Sequence, residues 1–197
     1  MKSPLSVLVL VRHGETAWSR SGQHTGRTDM PLLEEGRHMA TKLREPLARW
    51  RFSAVWTSPL SRARDTCALA GYGDVAQPRP DLMEWDYGAY EGKTKDELRA
   101  SRPDWTIWKD GVEGGESVEQ VGARADRIIA EAHAVDGDVL AFAHGHVLRV
   151  LAARWLGLPP SDGRLFLLNT AAVCVLALDL DSGQAALQRW NDTSHLR

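Results

Sequence analysis

Unbroken apolar runs at three places along the chain predict buried β-strands. The first covers residues 7–11 (VLVLV), the second is a short run at 54–57, and the third covers residues 138–143. Strands covered on both faces show continuous Val and Leu rather than an alternation of apolar and polar residues. The first run therefore predicts a central parallel strand, and the others predict its partners.

Helical patterns lie between and after these runs. In residues 34–50 the apolar side chains Met39, Leu43 and Leu47 recur on one helical face. Ser117 and Gln120 have the Ser-x-x-Gln spacing of a capping box, in which side chains satisfy the free N–H groups of a helix start. Further helices are predicted over residues 58–70, 93–101, 117–134 and 147–155.

The tail has a different pattern. Residues 165–168, 172–178 and 185–190 alternate as exposed strands do, and an Asp-Ser-Gly turn joins the last two. Residues 71–81 are predicted to be irregular. Together the patterns predict a single domain over residues 1–197 with a three-layer α/β/α fold: a mostly parallel central sheet, helices on both faces, and one antiparallel edge strand or hairpin.

Composition narrows the classes of partner. The 197 residues carry a formal net charge of −2, so neither nucleic acid nor an anionic membrane is an expected partner. No apolar run is long enough to span a bilayer, and no signal cleavage site follows the first strand. The two cysteines, Cys67 and Cys174, suggest no disulfide framework, which favours a cytoplasmic location.

Cations and imidazoles follow the predicted strands. Because parallel strands align their C-terminal ends at one sheet edge, these side chains are expected to meet in one pocket. The rigid guanidinium fork matches phosphate oxygens, so the expected ligand is a small phosphorylated metabolite. The residues are Arg12, His13, Arg62, His144 and His146.

Phosphate ester cleavage needs a nucleophile and a proton donor. A neutral imidazole attacks phosphorus, and flanking arginines would keep His13 unprotonated at neutral pH. A carboxylic acid must protonate the leaving oxygen. From the residues alone Glu84 competes with Asp86 and Glu91 for that role.

Six segments occur in order between about residues 7 and 151: LVRHGETAW, HTGRTDMPLLEEG, TSPLSRARDT, LMEWDYGAYEG, GGES and FAHGHVLR. Together they resemble the signatures of the histidine phosphatase superfamily, also called the phosphoglycerate mutase-like family. The resemblance implies a phosphorylated intermediate on His13, phosphate binding by Arg12 and Arg62, a second histidine at His144, and Glu84 as proton donor.

The resemblance also implies substrate contacts around the pocket. Thr25 and Gly26 occupy the Thr-Gly position of the family and would touch the phosphate or close over the substrate. Gly145 and His146 follow the second histidine, and Ser19 stands where the cofactor-dependent mutases have Asn. No metal and no cofactor are expected, because a site with two arginines repels cations.

The departures favour hydrolysis over phosphate transfer between hydroxyls. Lys109 and Asp110 stand where those mutases have an Arg-Arg pair for the substrate carboxylate, and His146 replaces an Asn. The chain resembles instead a phosphatase branch with acid phosphatases and a sedoheptulose 1,7-bisphosphatase. A mutase is the first alternative, and a phospho-ligand binding module without turnover is the second. The antiparallel tail would also allow a homodimer through an edge strand.

Overall fold

The computed structural model describes residues 7–179 and 181–197. Residues 1–6, which belong to the predicted domain, lie outside the described residues. Six strands form the centre of the fold: β1 (Val7–Arg12), β2 (Phe52–Thr57), β3 (Ala76–Pro78), β4 (Asp138–Ala143), β5 (Val173–Leu178) and β6 (Ala185–Asp192). They form one sheet in the order β3-β2-β4-β1-β5-β6.

Helices precede and follow the strands in the sequence. They are α1 (Ala17–Ser21), α2 (Glu34–Lys42), α3 (Arg44–Leu47), α4 (Ser61–Leu69), α5 (Lys95–Ser101), α6 (Ile107–Asp110), α7 (Val118–Ala134) and α8 (Gly145–Trp155). In the described residues no helix has both the length and the apolar character needed to cross a membrane.

The sheet is mostly parallel, as predicted. Strands β3, β2, β4 and β1 run in the same direction, with Arg12 opposite Ala143 and Thr57 opposite Phe142. Their C-terminal ends therefore lie along one edge of the sheet. Strand β5 pairs antiparallel with β1, and β6 pairs antiparallel with β5, which confirms the predicted terminal hairpin.

Both faces of β1 are buried, which explains its unbroken apolar sequence. Leu8 and Leu10 belong to the core cluster that contains the apolar residues of α7 and α8. Val9 and Val11 belong to the opposite cluster, which contains Leu43 and also Cys67 on α4. All four strand residues have no solvent exposure. Helices therefore cover both faces of the sheet, as the sequence predicted.

The capping box is confirmed. Ser117 Oγ accepts a hydrogen bond of 3.2 Å from Gln120 N, and Gln120 Oε1 accepts one of 2.7 Å from Ser117 N. Helix α8 begins at Gly145, two residues earlier than predicted. Its first N–H groups consequently lie next to the end of β4, where the candidate active site is found.

Three predictions of local structure were wrong. The helix predicted over residues 34–50 is broken between α2 and α3. Pro46 has no N–H, so it cannot donate the helical hydrogen bond to the carbonyl of Lys42. Residues 165–168 form no strand, since the carbonyls of Leu167 and Leu168 accept hydrogen bonds from the side chains of Trp190 and Arg12. The irregular stretch 71–81 contains β3, whose Pro78 is tolerated because it lies in an edge strand.

Candidate active site

Arg12, the last residue of β1, places a partly unsatisfied guanidinium at the sheet edge. Its Nη1 donates to the carbonyl of Leu168, whereas its Nε is buried and has no hydrogen-bond partner among the described residues. Burial lowers the pKa of Arg12, and the nearby carboxylate of Glu84 acts in the opposite direction. A buried N–H of this kind is costly unless a ligand accepts from it.

His13 follows directly and is a neutral imidazole. Its Nδ1 lies 2.6 Å from the carbonyl of Gly14, which can only accept a hydrogen bond, so Nδ1 carries the proton. Nε2 therefore carries the lone pair. Burial lowers the pKa of His13 well below its ordinary value, and the charges of Arg12 and Arg62 lower it further. The side chain is thus in the form of a nucleophile at neutral pH.

His144 follows β4 and lies next to His13, with 5.2 Å between the ring centroids. Its Nδ1 accepts a hydrogen bond of 3.0 Å from Arg62 Nε, and its Nε2 is 2.7 Å from Ser58 Oγ. Because Arg62 can only donate, Nε2 carries the proton of the neutral ring. Burial lowers the pKa of His144 well below its ordinary value, followed by the charge of Arg62.

Arg62, on α4, fixes the loop that precedes α2. Its Nη1 donates to the carbonyl of Thr28 over 2.9 Å, and its Nη2 donates to those of Thr25 and Gly26 over 3.0 and 2.9 Å. With the bond to His144, four of its five N–H groups have protein acceptors. Arg62 is therefore both a buried cation and the anchor of this loop.

Glu84 contacts the N-terminus of α8. Its Oε1 accepts hydrogen bonds of 2.9 Å from Trp85 N and Val147 N, and its Oε2 accepts one of 2.9 Å from His146 N. A Cβ at Gly145 would lie 3.5 Å from Arg12 Cζ and 3.6 Å from Glu84 Oε2. The carboxylate and the Arg12 guanidinium therefore face the same glycine.

The other two candidate carboxylates have structural contacts instead. Glu91 Oε1 accepts from the backbone N–H groups of Gly26 and Thr28 over 2.8 and 3.1 Å. Asp86 Oδ1 accepts from Gly88 N over 3.0 Å. Neither side chain lines the cavity that Glu84 lines, so the geometry favours Glu84 among the three.

A cavity of about 550 Å³ opens above these groups. Most of the predicted site residues line it: Arg12, His13, Ser19, Thr25, Glu84, Gly145 and His146. Three others do not line it: Arg62 donates to the carbonyl of Thr25, the His144 ring lies 5.2 Å from the His13 ring, and Gly26 accepts a hydrogen bond from Arg62. Ser19 also completes a capping box with Thr16 at the start of α1, so its side chain serves the helix as well.

A cluster of aromatic side chains lines part of the cavity. Tyr87 and His146 share a hydrogen bond of 2.6 Å between the phenol oxygen and Nδ1. Burial raises the pKa of Tyr87 well above its ordinary value, and burial lowers that of His146. The Trp108 ring lies 5.3 Å from the His146 ring, and both Trp108 and Trp105 line the cavity.

Sequence reasoning missed several residues that support the site. Ser58 bonds His144, Tyr87 bonds His146, and Arg149 lines the cavity. Tyr87 and Arg149 belong to quoted segments, EWDYG and HGHVLR, so their proximity to predicted site residues was an available signal. Ser58 had a similar signal, because it directly follows β2 at the same sheet edge.

The buried Arg124 was also missed, and it holds the segment that carries Glu84. Its side chain is 6 % exposed and pairs with Glu116 over 2.7 Å. Its Nη1 donates to the carbonyls of Asp81 and Met83, and its Nη2 donates to that of Glu84. Arg124 is therefore a positioning residue for the carboxylate that faces the cavity.

Comparisons with known proteins agree with this geometry. A sequence model of the histidine phosphatase superfamily (branch 1) matches residues 8–193. An acid phosphatase of Mycobacterium tuberculosis is 41 % identical, with 91 % of this chain and 90 % of that protein covered. The sedoheptulose 1,7-bisphosphatase of Saccharomyces cerevisiae is 40 % identical, with 76 % and 67 % covered. The chain belongs to the histidine phosphatase superfamily.

The family also includes relatives with a different reaction. A 2,3-bisphosphoglycerate-dependent phosphoglycerate mutase of Brucella anthropi is 35 % identical, with 91 % of this chain and 95 % of that protein covered.

Among solved structures, a mycobacterial glucosyl-3-phosphoglycerate phosphatase in complex with VO3 superimposes with a TM-score of 0.83 at 29 % identity, covering 94 % of this chain and 98 % of that chain. These matches confirm the fold.

The buried neutral imidazoles predict that stability depends on pH. Burial lowers the pKa of His13, His144 and His146 in the folded chain, so the unfolded chain binds more protons once the pH falls below about 6.5. The free energy of unfolding should be constant above that pH and fall below it, by up to about 1.4 kcal/mol per pH unit for each imidazole. Thermal unfolding between pH 7.5 and 5.5 measures this.

A matched pair of variants assigns the effect to the site. His146→Gln should reduce the slope by the contribution of one imidazole, whereas His38→Gln, at an exposed position of α2, should leave it unchanged. A melting temperature of the wild type that stays constant from pH 7.5 to 5.5 would contradict the assignment of neutral buried imidazoles.

Removal of the Arg124 guanidinium should lower activity more on one class of substrate than on another. Arg124→Gln removes the nearer ion-pair partner of half-buried Glu116 and leaves it with Arg27 at 3.7 Å, which should cost about 3 kcal/mol of stability. Displacement of Glu84 should lower kcat/KM for alkyl phosphates more than kcat/KM for p-nitrophenyl phosphate, because nitrophenolate leaves without protonation and kcat/KM reports the cleavage of the substrate, not the later hydrolysis of the enzyme intermediate.

Arg127 provides the control on the same helix. It is exposed and pairs with Asp81, so Arg127→Gln should preserve both rates. Arg124→Lys tests whether charge alone restores the position of Glu84 in a folded protein. Equal losses on both substrates in Arg124→Gln would show that Arg124 supports only the fold.

Proposed function

We propose that the protein is a metal-independent phosphatase that hydrolyses small phosphomonoesters through a phosphohistidine on His13. One observation supports this most strongly: a neutral His13, with Nδ1 bound to the Gly14 carbonyl, lies beside an arginine that has a free buried donor. The nucleophile and the anion-binding group therefore occur together, and Glu84 lines the same cavity. Family membership gives independent support.

In the first step the Nε2 lone pair of His13 attacks phosphorus. The P–N bond forms as the P–O bond to the leaving group breaks, and the carboxylic acid form of Glu84 gives its proton to the leaving oxygen. Arg12 Nε and the remaining N–H of Arg62 Nη1 would bind the equatorial oxygens. His144 would bind a third oxygen by exchanging Ser58 for the phosphate as acceptor of its Nε2–H.

In the second step water attacks the phosphohistidine. The carboxylate form of Glu84 takes a proton from the water, the new P–O bond forms, and the P–N bond breaks. His13 returns as a neutral imidazole and inorganic phosphate leaves. After the two steps Glu84 and His13 have the protonation states with which they began, so no metal ion or cofactor is required by the chemistry. Thr25, Gly26, Gly145 and His146 would line the path of the substrate.

The residues that set this chain apart from mutases support hydrolysis. Ser19, at the Asn position, caps α1. Asp110 accepts a hydrogen bond from Thr106 N over 2.8 Å, and neither it nor Lys109 lines the cavity. The two residues at the Arg-Arg position therefore do not line the cavity in which a substrate carboxylate would bind. Mutase activity is the alternative, supported by the relatives of that name.

Three further proposals concern the surroundings of the protein. The related sedoheptulose bisphosphatase and acid phosphatase support a sugar phosphate or a similar metabolite as substrate. The free and buried thiols of Cys67 and Cys174 suit the reducing conditions of the cytoplasm. Strand β6 ends the sheet and offers an edge for a second copy of the chain, which supports a homodimer.

Release of inorganic phosphate from a panel of phosphorylated metabolites, with chelator present, tests the proposed function. The panel includes 3-phosphoglycerate, sedoheptulose 1,7-bisphosphate and p-nitrophenyl phosphate. His13→Ala should reduce release to background, and Glu84→Gln should lower kcat for alkyl phosphates by about 10²- to 10⁴-fold. His38→Ala is the control, since this histidine is exposed on α2.

Turnover that persists in a folded His13→Ala protein would overturn the proposed mechanism. Absence of release by the wild type, combined with phosphate exchange that requires a bisphosphoglycerate primer, would favour the mutase. Tight binding of the metabolites without either reaction would favour a binding module.

A further inference from the structure

The side chain of Arg12 depends on one backbone group for its position. Its Nη1 donates to the carbonyl of Leu168 over 2.5 Å, and within the described residues this is the one hydrogen bond that the guanidinium makes. An arginine side chain has many rotamers, so a single fixed acceptor decides where its remaining N–H groups point. Leu168 therefore sets the direction of the free Nε–H, which the proposed reaction uses to bind phosphate.

Two consecutive residues of β6, Trp190 and Asn191, hold the backbone on either side of Leu168. Trp190 Nε1 donates to the carbonyl of Leu167 over 2.6 Å, and Asn191 Oδ1 accepts from the N–H of Asn169 over 2.7 Å. We call this pair of residues the clasp. Because residues 166–169 have no regular secondary structure, they have no ladder of backbone bonds to fix them. The clasp supplies fixed partners instead.

A β-bulge explains how both residues of the clasp reach the same segment. Between two successive register pairs of the hairpin, β6 has the two clasp residues where β5 has Cys174 alone. In a regular strand, neighbouring side chains point to opposite faces of the sheet. A bulge bends the strand and redirects its side chains, and bulges are frequent next to active sites. The edge strand is thus shaped to contact residues 167–169.

The backbone is strained on both sides of this contact. Asn191 has a φ of 57° and Ala171 a φ of 54°, and among the described residues they are the two non-glycine positions with a positive φ. The N–H of Ala171 donates to the carbonyl of His13 over 3.1 Å. Strained residues persist where surrounding contacts fix them, and they cluster at functional sites. The strain therefore lies in the segment that joins the clasp to the two residues at the end of β1.

We propose that Trp190 and Asn191 are positioning residues for phosphate binding, which fix Leu168 and through it the guanidinium of Arg12. Neither clasp residue lines the cavity, so each acts through Leu168 and not by contact with the substrate. The expected effect on turnover rests on the proposed function, whereas the expected effect on anion binding does not require turnover.

Variants that break one contact of the clasp and keep the backbone test the proposal. Asn191→Gly removes the acceptor and still permits a positive φ. Trp190→Phe removes the donor and keeps a ring against Phe166, whose centroid lies 5.3 Å away. Each variant should weaken the affinity for inorganic phosphate, measured by titration calorimetry, and lower kcat/KM for p-nitrophenyl phosphate. We expect losses of about 10- to 100-fold, the scale for a small misplacement of a binding group.

Two controls separate this contact from general damage to β6. Asn191→Asp keeps an oxygen acceptor and a residue that tolerates the left-handed region, so it should retain the wild-type affinity and rate. Gln188→Ala removes an amide from an exposed position of the same strand and should leave both measurements unchanged. Wild-type affinity and kcat/KM in folded Asn191→Gly and Trp190→Phe, with only a lower melting temperature, would overturn the proposal.

A double-mutant cycle tests whether the clasp acts through Arg12. Arg12→Lys keeps a cation without the guanidinium fork and should weaken phosphate binding by itself. Addition of Asn191→Gly should then cause no further loss, since the group that the clasp positions is already absent. Additive losses in the double variant would contradict the proposal. Undiminished phosphate affinity in Arg12→Lys would also contradict it, because the orientation of a guanidinium would then not matter for binding.

Phosphate binding keeps this test separate from the proposed function. A wild type that releases no phosphate from any ester, but binds phosphate more tightly than the clasp variants do, would refute the phosphatase and support the clasp. A wild type that hydrolyses esters, with clasp variants that equal it in both measurements, would refute the clasp and leave the phosphatase standing.

Discussion

The site depends on the parallel pairing of β1 with β4. Arg12 lies opposite Ala143, and the N–H of His13 continues the ladder by donating to the carbonyl of Ala143 over 2.9 Å. This register places His13 and His144 beside each other at the sheet edge. A shift by one residue would turn each side chain to the opposite face of the sheet and separate them.

The same edge explains why arginines and imidazoles can be buried together. The cost of burying the Arg62 guanidinium is offset by hydrogen bonds to carbonyls of the loop it anchors and to the Nδ1 lone pair of His144. The cost of burying the Glu84 carboxylate is offset by hydrogen bonds from N–H groups at the start of α8, which follows β4 directly. Each charged group therefore has backbone partners, while both histidines stay neutral. Within the described residues Arg12 Nε has no hydrogen-bond partner, and Arg12 lines the cavity where a substrate would bind.

Much of this arrangement could be predicted because it follows from local sequence. The apolar runs identify β1 and β4, the Ser117 capping box identifies the start of α7, and the strand ends identify His13 and His144. Contacts between distant segments could not be predicted in the same way. Arg124 and Glu84 are separated by 40 residues, and a pattern gives no indication that an arginine on one helix will bond to backbone carbonyls of a loop.

The errors have the same origin. Pro46 breaks a helix whose apolar pattern continues through it, because periodicity reports the faces of a helix and not its hydrogen bonds. The alternation in residues 165–168 predicted a strand, although the carbonyls of Leu167 and Leu168 accept hydrogen bonds from the side chains of Trp190 and Arg12. This irregular segment contributes Leu167 and Leu168 to the cavity.

The central claim is that His13 carries the phosphoryl group, and direct trapping of the phosphorylated enzyme tests it. The protein is mixed with ³²P-labelled substrate, quenched within milliseconds in alkali, digested and mapped by mass spectrometry. We expect one label per chain on the peptide that contains His13, stable in alkali and lost in acid, as a P–N bond requires. Label on any other residue, or rapid release of phosphate with no labelled enzyme at any time, would contradict the account.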